Sequence, residues 1–167
     1  MKFEFKQLNE AKKDDIIQLM NHPKLREHMP LLRRHFGEIE YKEFIEAKQK
    51  LWSDCGFGPW AIFGDGNFMG WGGLQPEHGD ADLALVLHPD YWGEGKGISQ
   101  QIIKRAFAEM GFDSVTILLP PTRTRVKGIL RLGFYPDGKV DLEGECFLRY
   151  RLDAPRKRQD RRQLVGQ

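Results

Sequence analysis

Two hydrophobic periods alternate along the chain. "KFEFKQL" repeats every second position and predicts a first strand. In "NEAKKDDIIQLMNHP", Ile16, Ile17 and Met20 share one helical face, with Asn9 as the expected cap and Pro23 as the stop. Ile39, Phe44, Ala47 and Leu51 recur at helical spacing and predict a second helix. The middle of the chain then changes character. "GPWAIFGDGNFMGWGGLQ" holds two short apolar runs around Asp65-Gly66, a pair suited to the positive φ values of a tight turn, so a β-hairpin is expected. "PEHGDAD" reads as a loop, and "LALVLHP" as a strand buried on both faces.

Beyond the hairpin, "GISQQIIKRAFAEMGF" places Ile98, Ile102, Ala106 and Met110 on one helical stripe, with Gly111 as its C-cap. "DSVTILLP" predicts a strand and "TRTRVKGILRLGF" a short helix ending at Gly133. "GECFLRYRLD" predicts a closing strand with Cys146, Leu148, Tyr150 and Leu152 on one face. The order β-α-α-β-β-β-α-β-α-β-β implies an α/β fold, a mixed central sheet covered by helices on both sides. No internal repeat or linker interrupts it. One domain over residues 1–153 is expected, followed by a basic, flexible tail over 154–167.

Composition changes this picture little. The 167 residues are 40% hydrophobic and 30% charged, with a mean hydropathy of −0.55, as in a globular protein. No apolar run approaches the roughly 20 residues that cross a bilayer, and the N-terminus has no signal-peptide core. Cys55 and Cys146 match no metal or redox spacing, so reduced cysteines, a cytoplasmic location and no metal are expected. The tail from Ala154 carries a net +4 of the overall +2, leaving −2 on the rest. No basic-aromatic or zinc-finger pattern supports nucleic-acid binding.

The informative stretch is "HPDYWGEGKGIS", residues 88–99. Glycine costs backbone entropy, and three at alternating positions before a helix mark a demand on the backbone. A helix N-terminus has unpartnered N–H groups and partial positive charge, so glycines there admit an anion such as phosphate. The spacing is neither GxxxxGK[ST] nor GxGxxG after an N-terminal strand, which excludes the P-loop and the dinucleotide fingerprint.

"LALVLHPDYWGEGKGISQQIIKRAF" resembles the acyl-CoA-binding motif of the GNAT superfamily of N-acetyltransferases, [Q/R]xxGx[G/A] opening a long helix after a buried strand. The slots fall on Trp92, Gly93, Glu94, Gly95, Lys96 and Gly97, with Trp92 in place of the usual Gln or Arg. The "YWGxG" variant is similar to the branch containing ribosomal-protein alanine N-acetyltransferases. "LRLGFYPDG" resembles the family's "klGF" segment, and the element order agrees as far as about Asp153. The resemblance implies acetyl-CoA as co-substrate, lying between the strand ending at Leu87 and the strand "SVTILLP". Its pyrophosphate would sit on amides from Trp92 to Ile98. Amides near Val86 and Leu87 would bind the pantetheine and polarise the thioester, where a tetrahedral oxyanion develops.

The resemblance also implies chemistry for particular side chains. A carboxylate takes the proton of the attacking amine; Asp82 falls at the family's usual place, and Glu77, His78 and Asp80 lie in the preceding loop. The family's frequent Asn and Ser before its last helix fall on Thr122 and Arg125, one a hydroxyl, the other a cation suited to a CoA phosphate. Its frequent acid, a Tyr four residues before the Gly of "GF", is replaced by Ile129. Cys146, among apolar neighbours with no adjacent His, reads as a core residue, and Trp52, Trp60 and Trp71 read as core aromatics. The reaction implied is direct acetyl transfer to a primary amine, a small molecule or a protein N-terminus, by a monomer or homodimer. The alternative is an acyl-CoA-binding regulatory module with little catalysis.

Overall fold

The computed structural model describes residues 1–157. Seven strands form one sheet in the order β1-β2-β3-β4-β5-β7-β6. They are β1 (Phe3–Lys6), β2 (Pro59–Gly64), β3 (Asn67–Glu77), β4 (Asp80–Leu87), β5 (Ser114–Leu119), β6 (Tyr135–Leu142) and β7 (Glu145–Asp153). Among the helices with them are α1 (Lys13–Met20), α2 (Pro23–Arg26), α3 (Glu38–Cys55), α4 (Gly95–Ala108) and α5 (Lys127–Arg131). The sheet is mixed: β4 and β5 are parallel, and the other neighbours run antiparallel.

The sheet separates two cores. On one face, Ile98, Ile102 and Ala106 of α4 pack on Leu74, Leu83, Leu87, Val115 and Ile117. On the other, Ile16, Leu19 and Met20 of α1 and Leu25 of α2 meet Ala61 and Trp71. Each buried aliphatic side chain contributes roughly 1.5–3 kcal/mol, so the two faces together hold the sheet between helices, as the element order requires.

Local chemistry accounts for the departures from the sequence pattern. Asn9 caps nothing. It lies in a single 3-10 turn, Leu8–Glu10, closed by the Gln7 N–H donating to Glu10 Oε2 at 2.8 Å, and α1 begins after Lys12. Pro23 starts a helix rather than ending one, at the N-terminal position where its missing N–H is not needed. The expected loop at "PEHGDAD" is a tight turn: β3 runs to Glu77, β4 starts at Asp80, and His78 and Gly79 take φ of 49° and 81°. Pro76 is tolerated because β2 pairs with β3 only as far as Gly73. The Asp65–Gly66 turn has φ of 48° and 84°, the expected conformation.

On α3 the apolar face is shifted. Ile39 is 72% exposed and Ala47 is exposed, while Tyr41, Phe44, Ile45, Lys48 and Trp52 turn inward. Cys146 is exposed rather than buried: it stands past the last β5–β7 pair, Leu119–Leu148, with Asp141 of β6 as its register partner. At the C-terminus Ala154 donates its N–H to Asp113 O at 2.8 Å, and Arg156 pairs with Asp113 at 2.6 Å. The rest of the basic tail, 158–167, lies outside the described residues. No described helix is long and apolar enough to cross a membrane.

Candidate active site

The sheet splits at its centre. β4 and β5 share one register pair, Asp82–Thr116, near the start of both strands, and diverge beyond it. Below that rung Arg151 of β7 holds the strands together: it pairs with both carboxylate oxygens of Asp80 at 2.9 and 3.0 Å, and reaches Ser114 Oγ at 2.8 Å and Asp137 at 2.7 Å. The result is a V that opens toward Leu87 on one side and Leu119 on the other.

Backbone polarity inside the V follows from the β3–β4 ladder. His88 donates its N–H to Met69 O at 2.8 Å, and a Cβ at Gly70 or Gly72 would collide with Val86 O or Ala84 O. The even-numbered residues of β4 therefore direct their backbone groups at β3. In an antiparallel ladder the intervening ones, Leu85 and Leu87, point the other way. The Val86 backbone is thus committed to β3, and Leu85 and Leu87 are the β4 residues whose backbone groups face the opening. Gly70 and Gly72 are demanded by this close approach to β4, and Gly73 by Gly58 and Pro59 on the other side of β3.

The glycines at the mouth behave differently. Pro89–Glu94 forms a 3-10 turn that runs directly into α4, with the Gly95 N–H donating to Trp92 O. Gly93, Gly95 and Gly97 all have negative φ, and a Cβ would meet nothing at Gly93, Leu87 at 3.9 Å at Gly95, and the Phe3 ring at 3.4 Å at Gly97. Neither backbone conformation nor crowding requires glycine there. Trp92, in the Gln or Arg slot, donates its Nε1–H to Leu87 O at 2.9 Å and so ties the turn to the end of β4. Lys96 is exposed, Glu94 half-buried and Ile98 buried in the α4 core. Across the opening, Thr122 and Arg125 are exposed on the connection that follows β5, and Ile129 is buried in the core.

Asp82 stands at the apex. It is 6% exposed and accepts a hydrogen bond from Thr116 Oγ1 at 2.8 Å. Burial pushes its carboxyl from 3.8 up to about 7; the Thr116 bond opposes the shift, and the charges of Glu77 and Asp80 add to it. Asp80 is held below the usual carboxylate range by Arg151 and is occupied by that pair. Glu77 shares the Asp82 face of the hairpin but sits at its far end, opposite Asp80, and His78 is exposed in the turn. Of the sequence candidates, the structure brings only Asp82 to the apex. Thr116, Arg151 and Lys48 carried no sequence signal of this kind, since their partners lie 34, 71 and 27 residues away. Among the described residues no group of three or more His, Cys, Asp or Glu could hold a metal ion.

A family model described as the acetyltransferase (GNAT) domain matches residues 2–134. The chain belongs to the GNAT acetyltransferase family. No curated protein matches the sequence. Among solved structures, this GNAT domain is similar to an acetyltransferase from Agrobacterium tumefaciens, at 17% identity and a TM-score of 0.72, over 90% of each chain. It is similar to a ribosomal α-N-protein acetyltransferase in complex with coenzyme A, at 17% identity and a TM-score of 0.71, over 91% of this chain and 94% of that one. It is also similar to a chimera of a Vibrio cholerae spermidine N-acetyltransferase, at 12% identity and a TM-score of 0.70, over 92% and 96%. At these identities the likeness is one of fold, and the GNAT domain's own residues must supply the chemistry.

Proposed function

We propose that this GNAT enzyme transfers the acetyl group of acetyl-coenzyme A directly to a primary amine, with Asp82 as the general base. The observation that carries the reading is the single β4–β5 rung: the sheet opens just past Asp82, and the glycine turn stands at the mouth of the opening. Gly93, Gly95 and Gly97 are not required by the fold, so a ligand that approaches the backbone is the remaining demand on them. A pyrophosphate over the turn from Trp92 to Ile98 satisfies it, with Lys96 and Arg125 supplying charge. The Leu85 and Leu87 N–H groups then face the pantetheine arm and the thioester carbonyl, where negative charge develops.

When bound, acetyl-CoA supplies the activated acyl group. The amine must be neutral to attack. A carboxylate that titrates near pH 7 is matched to accepting its proton at neutral pH. As the N–C bond forms and the C–S bond breaks, the proton leaving nitrogen ends on the coenzyme A thiol, and the reaction balances. Ile129 fills core space where the family often carries a tyrosine, which leaves Asp82 as the proton carrier in this reading. The acceptor is a small-molecule amine or a protein N-terminus.

The test is thiol release from acetyl-CoA with a panel of amines, in the wild type and in Asp82→Ala. Turnover with at least one amine is expected, and the variant should lose roughly 100-fold in kcat while keeping its coenzyme A affinity. Clear binding of coenzyme A with no turnover of any amine would favour the acyl-CoA-binding module instead. An unchanged rate in Asp82→Ala would remove Asp82 from the chemistry.

A further inference from the structure

Lys48 is a charge that acetyl transfer leaves without a task. It projects from the inner face of α3, where the spacing Tyr41, Phe44/Ile45, Lys48, Trp52 turns toward the sheet. Lysine is seldom placed on such a face unless paired. Its ammonium lies 5.5 Å from the Phe44 ring centre and 5.4 Å from the Trp71 ring centre, and it donates to Gln75 Oε1. Desolvation in this setting lowers its pKa, with the Glu77 charge working against the shift. No described carboxylate lies within ion-pair distance of it. An ammonium has three donors, and the bond to Gln75 uses one.

The sheet beneath Lys48 is shaped to leave room. Gln75 pairs directly with Asp82 across β3 and β4, so the two side chains stand on one face with Cβ atoms about 5 Å apart. The next rung on that face is Gly73–Ala84, and the one after is Trp71–Val86. Ala84, a small and partly exposed side chain between the Gln75–Asp82 and Trp71–Val86 rungs, leaves a shallow hollow on the β4 side, while Gly73 is packed against Gly58 and Pro59. Gln75 and Asp82 bound one end, Trp71 and Val86 the other, and Phe44 and Lys48 of α3 stand over it. Ala84 and Val86 stay partly exposed although they belong to a central strand. The hollow lies beside the apex of the V.

Lys48 and Asp82 face the hollow from opposite elements, with the Glu77 carboxylate one rung beyond Gln75 on the same face; the first two match a zwitterion, an ammonium toward Asp82 and a carboxylate toward Lys48. A lone lysine with an amide neighbour suits a carboxylate better than a phosphate, which recruits several donors. We propose that this hollow is the acceptor site and that Lys48 anchors a carboxylate, so that the acceptor is an amine bearing a carboxylate within a few atoms of the nitrogen. Free amino acids and peptides that begin with Asp or Glu both carry this chemistry. The proposal rests on the acetyl-transfer reading of Asp82.

The experiment compares matched acceptor pairs: free amino acids against their amides, and Asp- or Glu-initiated peptides against Ala-initiated ones, with spermidine as a polycation. Acetyl-CoA is the donor, and released thiol is read. The carboxylate member of a pair is expected to show at least a 10-fold higher kcat/KM, through KM, and the pair that is turned over identifies free amino acid or peptide. In Lys48→Met, which keeps the stem on Phe44 and Trp71, that preference should collapse to about one; Lys48→Arg should retain most of it. A parallel thermal-shift arm adds coenzyme A with an N-acetyl-amino acid or its amide, and reads the anchor without turnover. There the carboxylate ligand should stabilise the wild type and lose that advantage in Lys48→Met. Failure of turnover with a carboxylate-specific shift would sink the transfer reading and keep the anchor. Equal use of acids and amides, a preference for spermidine, or a preference unchanged in Lys48→Met would overturn the proposal.

Discussion

An aspartate buried on a central strand with one hydroxyl partner holds its proton to about pH 7, and two measurable consequences follow for Asp82. The first is kinetic. If ionised Asp82 accepts the amine proton, the rate falls as pH drops below about 7, by about tenfold at pH 6 relative to its plateau. Asp82→Asn should remove this limb of the profile together with most of the activity. The second is thermodynamic, and its sign is unusual for an acid. Because the folded pKa is raised above the unfolded value, the contribution of Asp82 to stability is complete below about pH 4 and is lost as pH rises through about 7. Asp82→Asn should therefore melt higher than the wild type at pH 8, by the equivalent of about 1–3 kcal/mol, and the gap should close near pH 4. A variant that is less stable at both pH values would show that Asp82 serves the fold.

Glycines separate into two kinds once each is set in its element. In β3, Gly70 lies against the backbone of β4, and an added Cβ would strike Val86 O. At the mouth of the V, Gly95 has helical φ and only Leu87 near, at 3.9 Å. Gly70→Ala should thus cost about 2–3 kcal/mol or prevent folding. Gly95→Val should unfold within about 1 kcal/mol of the wild type yet lose coenzyme A affinity at least tenfold in calorimetry. Retained affinity in Gly95→Val would remove the pyrophosphate from this turn. The sequence pattern made "GEGKGIS" legible because helix start, glycine spacing and preceding strand are all local. The inner face of α3 was not legible, since the true stripe includes Lys48 and leaves Ile39 outside. Hydropathy reads a lysine as surface. What turns it inward is Phe44 and Trp71, the second of them 23 residues away and on another element.

At the scale of the whole molecule, the site exists because a seven-stranded sheet fails to close along one seam. The element order implied a mixed sheet between helices, and the seam's place between "LALVLHP" and "SVTILLP" could be named from the family resemblance; the insertion of β7 between β5 and β6 was not legible. Where the seam parts could not, because that depends on contacts between distant segments: Arg151 clamps Asp80 and Ser114 below the rung, and Thr116 binds Asp82 at it. Past this point β4 keeps its ladder to β3 but has no register partner in β5. Its backbone is thus unequal on its two sides, and amide hydrogen exchange reports that inequality directly. Ala84 and Val86, bonded to β3, should exchange slowly, while Leu85 and Leu87 should exchange faster by an order of magnitude or more. Coenzyme A should then slow Leu85 and Leu87 selectively, since the pantetheine arm would take the place that a strand partner leaves open. Uniform protection along β4 without ligand would mean that the seam is closed in solution. Protection by coenzyme A at Ala84 and Val86 instead would reverse the assigned direction of the strand's donors and return Val86 to the binding set.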